Sequence, residues 1–306
     1  MNKFTIVWCC VFLLLSCAVE YDFEPSDVIE PDRLVVNSIL NPLHPIEVSF
    51  YTTMKTDSGY IYQPVSNVQV VLKENDCILF DGICDSICLK SDYKPRVNAA
   101  YSIEVSLNGY EPVSASTIVP DSIVCEVRGE PTYESIMSLS DFRFPSGDIS
   151  LWITSYMHYK SGKSKQYAEL YASNFLIDKV NRQEGAYMYE GMGSGYHDAF
   201  LRIKHTNLPK LDSIRFIPGL LGYDDHDSIG YEEKDFMAIK IITAEKEYDR
   251  YNRTFYEQKA MVIYDDDISA ILYQPVSVYS NIKNGLGIFA GMSESNYYFK
   301  VIEPEF

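Results

Sequence analysis

Between Ala100 and Leu107 the chain alternates: Tyr101, Ile103, Val105 and Leu107 are apolar, while Ser102, Glu104 and Ser106 are polar. A period of two puts one set on each face of a pleated strand, and a helix of period 3.6 cannot accommodate it. Asn108-Gly109 follows, a pair that readily takes the two positive φ angles of a type I′ hairpin turn. Val113 to Val119 runs back, and Pro120 ends the run. The same punctuation recurs upstream. Arg33 to Ile39 is rich in β-branched residues, Pro45 to Tyr51 follows the turn Asn41-Pro42-Leu43-His44-Pro45, and Val68, Val70 and Leu72 form another strand. Short strands with regular turn signals and no helical stretch predict an immunoglobulin-like β-sandwich over residues 32–120.

Pro120-Asp121-Ser122 marks the predicted domain boundary. Strand-like runs resume at Ile149–Tyr156, Gln166–Ile177, Phe200–Ile203, Ser213–Ile217 and Phe236–Thr243. One helix is expected, Ala244–Gln258, with Tyr248, Tyr251 and Phe255 on a single stripe. Thr243 is its expected N-cap, and Glu245 and Glu247 sit in the first turn, where the helix dipole favours acids. The fold class is therefore mainly β: an N-terminal sandwich, then a larger β-rich domain over 121–306 with at least one helix. Gly185 to Gly195 reads as a long glycine-rich loop. Tyr187 and Tyr189 within it, and Tyr196 just after it, are the candidate ligand or partner contacts, because tyrosine offers large amphipathic area at low entropy cost.

The first sixteen residues read as a signal peptide. Lys3 precedes an apolar run from Phe4 to Leu15, too short to span a bilayer, and Cys9 and Cys10 leave with it. Leu14-Leu15-Ser16-Cys17 has the layout of a bacterial lipobox, which predicts cleavage before Cys17 and lipidation of its thiol. Each buried CH₂ of an acyl chain contributes about 0.8 kcal/mol, so several chains hold a domain at a membrane. Residues 17–31, with Glu20, Asp22, Glu24 and Pro25, read as an acidic tether. Ala18 after the lipidated Cys lacks the Asp that retains lipoproteins at the inner membrane. The acids behind it resemble the export signal of surface lipoproteins. An outer-membrane, lipid-anchored and surface-exposed location is the expectation.

The 26 basic and 43 acidic residues give a net charge of −17. Such a surface disfavours nucleic acid, whose binding rests on Lys and Arg neutralising phosphates. Beyond the anchor lie Cys77, Cys84, Cys88 and Cys125. Cys84 and Cys88 have C-x₃-C spacing, but Cys77 and Cys125 supply no second such pair for a zinc site and no His lies nearby, and an exported compartment permits disulfides. At least one bridge among Cys77, Cys84 and Cys88 is expected. No nucleophile elbow, zincin helix, phosphate loop or dinucleotide fingerprint occurs, so neither catalytic residues nor a cofactor or metal are assigned. Asp224-Asp225-His226-Asp227 and Asp265-Asp266-Asp267 read as exposed turns. His158, His197 and His205 are isolated in sequence.

Several segments together resemble a Bacteroidota lipoprotein family known as a domain of unknown function, numbered four-two-four-nine. They are the lipobox, Leu34-Val35-Val36, Ala100 to Val105, Ser114-Ala115-Ser116-Thr117, the Thr243–Tyr251 helix and, most distinctive, Ser280-Asn281-Ile282-Lys283-Asn284-Gly285-Leu286-Gly287-Ile288-Phe289. The resemblance implies an outer-membrane lipoprotein, often encoded beside TonB-dependent transporters, with no established activity. The expected function is non-catalytic binding of a ligand or partner as accessory to such a transporter. A surface adhesin or matrix subunit, or a metal-dependent surface hydrolase, are the alternatives.

Overall fold

The computed structural model describes residues 33–56, 59–129, 137–159, 164–167, 171–172, 201–211, 213–216, 234–263 and 277–300. Among the described residues, nine strands form one sheet. Along its main path run β12 (Ser164–Tyr167), β11 (Ile149–Tyr159), β16 (Lys234–Glu245), β17 (Leu286–Lys300), β1 (Leu34–Leu40), β2 (Glu47–Thr56) and β3 (Gly59–Pro64). To these β14 (Leu201–Ile203) adds on β11, and β6 (Cys88–Lys90) adds on β2. A second sheet has the order β5 (Cys77–Cys84), β4 (Val68–Glu74), β7 (Ala100–Ser106) and β8 (Val113–Ile118). A third has the order β13 (Tyr171–Ala172), β15 (Ser213–Phe216), β10 (Met137–Arg143) and β9 (Val124–Arg128). The mainly β class predicted from alternation is the class observed.

One face of the large sheet covers two cores. Leu34, Val36, Leu40, Phe50 and Phe289 pack against Val70, Leu72, Tyr101, Ile103 and Val105 of the second sheet. Leu151, Ile153, Ile239, Ile241 and Phe299 pack with Leu139, Ile214 and Ile123 on the side of the third. Phe289 and Phe299 lie an even number of residues apart on β17, so one strand supplies an aromatic ring to each core. The alternate residues Ile288 and Ala290 face the other way with Trp152, Ile242 and Ala244, under Tyr248 of helix α1 (Lys246–Ile263).

β17 runs parallel to β1, with Val35 beside Leu286 and Leu40 beside Gly291, and antiparallel to β16 from Ala244–Met292 to Phe236–Lys300. Neither the strand nor its central place is visible in the sequence. Gly287, Gly291 and the polar run Ser293 to Asn296 mask the alternation. The sheet therefore crosses the 120/121 boundary.

One turn differs from expectation. At Asn108-Gly109 the Tyr110 N–H donates to the Leu107 carbonyl at 3.0 Å and only Gly109 takes positive φ, +88°, so this is not a type I′ turn. The two-residue turn with both φ angles positive is Asn75-Asp76, at +45° and +66°, between β4 and β5. The helix start is also shifted. β16 continues to Glu245, and Thr243 is a fully buried strand residue whose Oγ1 accepts from Ile123 N–H at 3.2 Å. Glu245 caps instead, its Oε2 accepting from Glu247 N–H at 2.9 Å. Of the expected stripe, Tyr248 is buried, Tyr251 is half-buried and Phe255 is exposed.

Candidate functional site

The distinctive segment around residues 281–291 turns out to be a seam. Asn281 brackets one residue of β17: its Nδ2 donates to the Phe289 carbonyl at 2.7 Å, and Phe289 N–H donates to its Oδ1 at 2.9 Å. Asn37 Oδ1 of β1 accepts from Ile288 N–H at 3.2 Å. Ser114 and Lys283 exchange two backbone hydrogen bonds, at 2.8 and 3.3 Å. These contacts need close backbone approach. A Cβ on Gly287 would lie 2.2 Å from the Val36 carbonyl oxygen, and one on Gly291 2.3 Å from that of Ile118. Gly287 also has φ of +107°, which glycine alone adopts at little cost.

From this seam a relay runs to the helix. Gly291 N–H donates to Thr117 Oγ1 at 2.9 Å, and Thr117 Oγ1 donates to Glu245 Oε2 at 3.4 Å. Burial lifts the Glu245 carboxyl to about 7; the Glu247 N–H opposes the rise, and the Glu247 carboxylate adds to it. Glu247 in turn accepts from the Tyr279 hydroxyl and lies 3.7 Å from Lys246 Nζ. The Arg250 guanidinium lies 4.0 Å over the Tyr279 ring, a cation–π contact. Burial, then Glu247, pushes Tyr279 up to about 12. A carboxyl titrating near neutrality can exchange a proton. Here it caps a helix and ties three elements together.

Two further acidic side chains are buried with their partners. Glu74 accepts from the Tyr93 hydroxyl at 2.7 Å, from the Tyr101 hydroxyl and from the Arg96 guanidinium. Asp249 of α1 is held bidentately by Arg202, at 2.8 and 2.7 Å, and accepts from Trp152 Nε1 at 2.8 Å. Sequence reading missed all of these clusters, because their members are tens of residues apart.

The predicted site residues fare differently. Cys17, Tyr187, Tyr189, Tyr196, His197, Asp224–Asp227 and Asp265–Asp267 lie outside the described residues. Cys77, Cys84, Cys88 and Cys125 are free thiols, so the expected bridge is not made in this structure. Cys77 and Cys84 stand at opposite ends of the extended strand β5, about 23 Å apart at roughly 3.3 Å per residue, far beyond bridging distance. Cys84 donates to the Ser86 carbonyl at 3.3 Å, and Cys88 Sγ lies 3.8 Å from Ser49 Oγ. Burial raises the Cys125 thiol above its ordinary value. His158 stacks on Phe236 at 4.2 Å, and exposed His205 lies 4.0 Å from Asp148. Among the described residues no three His, Cys, Asp or Glu side chains converge as a metal site, and no helix is long and apolar enough to cross a membrane.

The chain matches no curated protein. The family model described as "Domain of unknown function (DUF4249)" matches residues 18–297, which takes in the seam, the relay and both cores apart from Phe299. The chain belongs to the DUF4249 family.

Proposed function

We propose that this protein is a surface-exposed outer-membrane lipoprotein, anchored through Cys17. It binds a ligand or partner as accessory to a TonB-dependent transporter and performs no covalent chemistry of its own. The observation that carries this reading is the start of the family match at residue 18, directly behind Leu14-Leu15-Ser16-Cys17. The family's shared part thus begins where the mature lipoprotein would begin. Supporting it, the buried acids Glu74 and Asp249 are taken up by internal partners, as a scaffold requires. Partner capture falls to the tyrosines of the 185–196 segment.

Cys17→Ala should yield soluble or unprocessed protein, read by membrane fractionation; unchanged fractionation would contradict the anchor. Crosslinking in native membranes should recover one outer-membrane barrel. Recovery of many host proteins would favour an adhesin instead, and stoichiometric zinc or calcium lost together with a hydrolytic activity would favour an enzyme.

A further inference from the structure

The second sheet has one open side. Its β8 edge is engaged by the Ser114–Lys283 hydrogen bonds of the seam. At the other end stands β5, paired with β4 and, among the described residues, with no other strand. An unpaired edge offers a row of backbone N–H and C=O groups to any further strand, so natural edges are usually blunted by lysine, proline or a bulge. β5 has only the bulge: Leu72 faces Phe80 and Lys73 faces Ile78, so Leu79 is the extra residue. Beyond it the run Phe80–Cys84 pairs in unbroken register with Val68–Leu72 and contains neither lysine nor proline.

The side chains along this edge sort by face. Phe80, Gly82 and Cys84 lie opposite Leu72, Val70 and Val68 on the core side. Ile78, Asp81 and Ile83 lie opposite Lys73, Val71 and Gln69 on the outer side. There Ile78 is 60% exposed and Ile83 66% exposed. Asp81, between them in the strand, is exposed and accepts from Gln69 Nε2 at 3.1 Å. From Asn75 to Cys88 the chain carries Asp76, Asp81 and Asp85, all exposed, and no Lys or Arg. The flanking cations have acidic neighbours of their own: Lys73 lies 3.8 Å from Glu104, and Lys90 lies 3.4 Å from Glu47. The open edge is therefore acidic as well as apolar.

We propose that the Phe80–Cys84 edge of β5 is a docking site for an extended, cationic segment of a partner protein, which adds to the sheet as a further strand. Main-chain hydrogen bonds to the open edge supply the attachment. Alternate apolar residues of the incoming strand continue the core side beside Phe80. The lysines or arginines between them lay their aliphatic stems over Ile78 and Ile83 and bring their charges to the aspartates. A second copy of this chain would bring the same aspartates to the interface, and like charges directly opposed destabilise a strand pair. The inference depends neither on the lipid anchor nor on the tyrosines of the 185–196 segment.

The test titrates the full chain with a fluorescent, strand-length peptide of alternating valine and lysine, and with valine–glutamate and glycine–lysine peptides of the same length. The valine–lysine peptide should bind, and in hydrogen exchange it should slow amides within Phe80–Cys84. The valine–glutamate peptide should not bind. Ile83→Lys puts a lysine on the edge at an exposed position. It should leave the melting temperature unchanged and weaken binding about tenfold, because like charges then meet. If that variant is destabilised, the exchange measurement on the unaltered protein decides without it. Equal binding of the glycine–lysine peptide would mean attraction of charge without strand addition, and would overturn the proposal. So would the absence of binding, or slowed exchange confined to other strands. A dimer of the free protein that Ile83→Lys dissociates would give the edge to a second copy and overturn it likewise.

Discussion

At the scale of single residues, the glycines of the seam are set by distance and Glu245 by burial. Gly291→Ala places a methyl 2.3 Å from a carbonyl oxygen that belongs to the backbone of β8 and cannot swing aside. It should cost about 3 kcal/mol, at the upper end for overpacking. Gly109→Ala meets open space and should cost about 1–2 kcal/mol, for its positive φ alone. Urea midpoints of the two variants check the difference. Glu245 has the ordinary pKa of 4.5 when unfolded and about 7 when folded. Between those values the folded protein holds a proton that the unfolded chain releases, so stability falls as pH rises from 4.5 through 7. Melting temperatures across that window should show the decline, and Glu245→Gln should flatten it. A decline of the same size in the variant would assign the effect to other groups.

At the scale of elements, α1 is pinned to the sheet by the Arg202–Asp249 pair, whose side chains are 8% and 10% exposed. Arg202→Leu leaves a buried carboxylate without its counter-ion and should cost about 3–5 kcal/mol, whereas Arg202→Leu with Asp249→Leu should cost much less. Denaturant unfolding of the single and double variants decides. The existence of α1 is legible in Tyr248, Tyr251 and Phe255, but its start is not. Thr243 has the chemistry of a cap, and only the pairing of β16 with β11 and β17 shows that the strand runs two residues further, to Glu245. β7 is legible because its alternation is unbroken. β17 is not, because glycines chosen for closeness to β1 and β8 erase its pattern. The Glu245–Thr117 relay could not be read at all, since a hydrogen bond between residues 128 apart leaves no local trace.

At the scale of the whole molecule, β17 joins the two cores. Ile282 and Phe289 belong to the core beneath β1, and Phe299 to the core beneath β11. A fragment of residues 18–120 lacks the strand that flanks β1 and the ring that fills its core. It should show no cooperative unfolding transition, while the full chain should unfold with one; calorimetry of both checks this. A stable fragment would support residues 32–120 as an independent domain. The parallel β1–β17 pair has a further consequence, for timing. Asn37 Oδ1 and Ile288 N–H are 251 residues apart in the chain, and contacts at such separation form slowly, because the entropy of closing so long a loop comes first. During synthesis the N-terminal half has no completed core until the end of the chain arrives. On the proposed reading of residues 1–16 as a signal peptide, that delay keeps the polypeptide threadable until its last strand has left the ribosome.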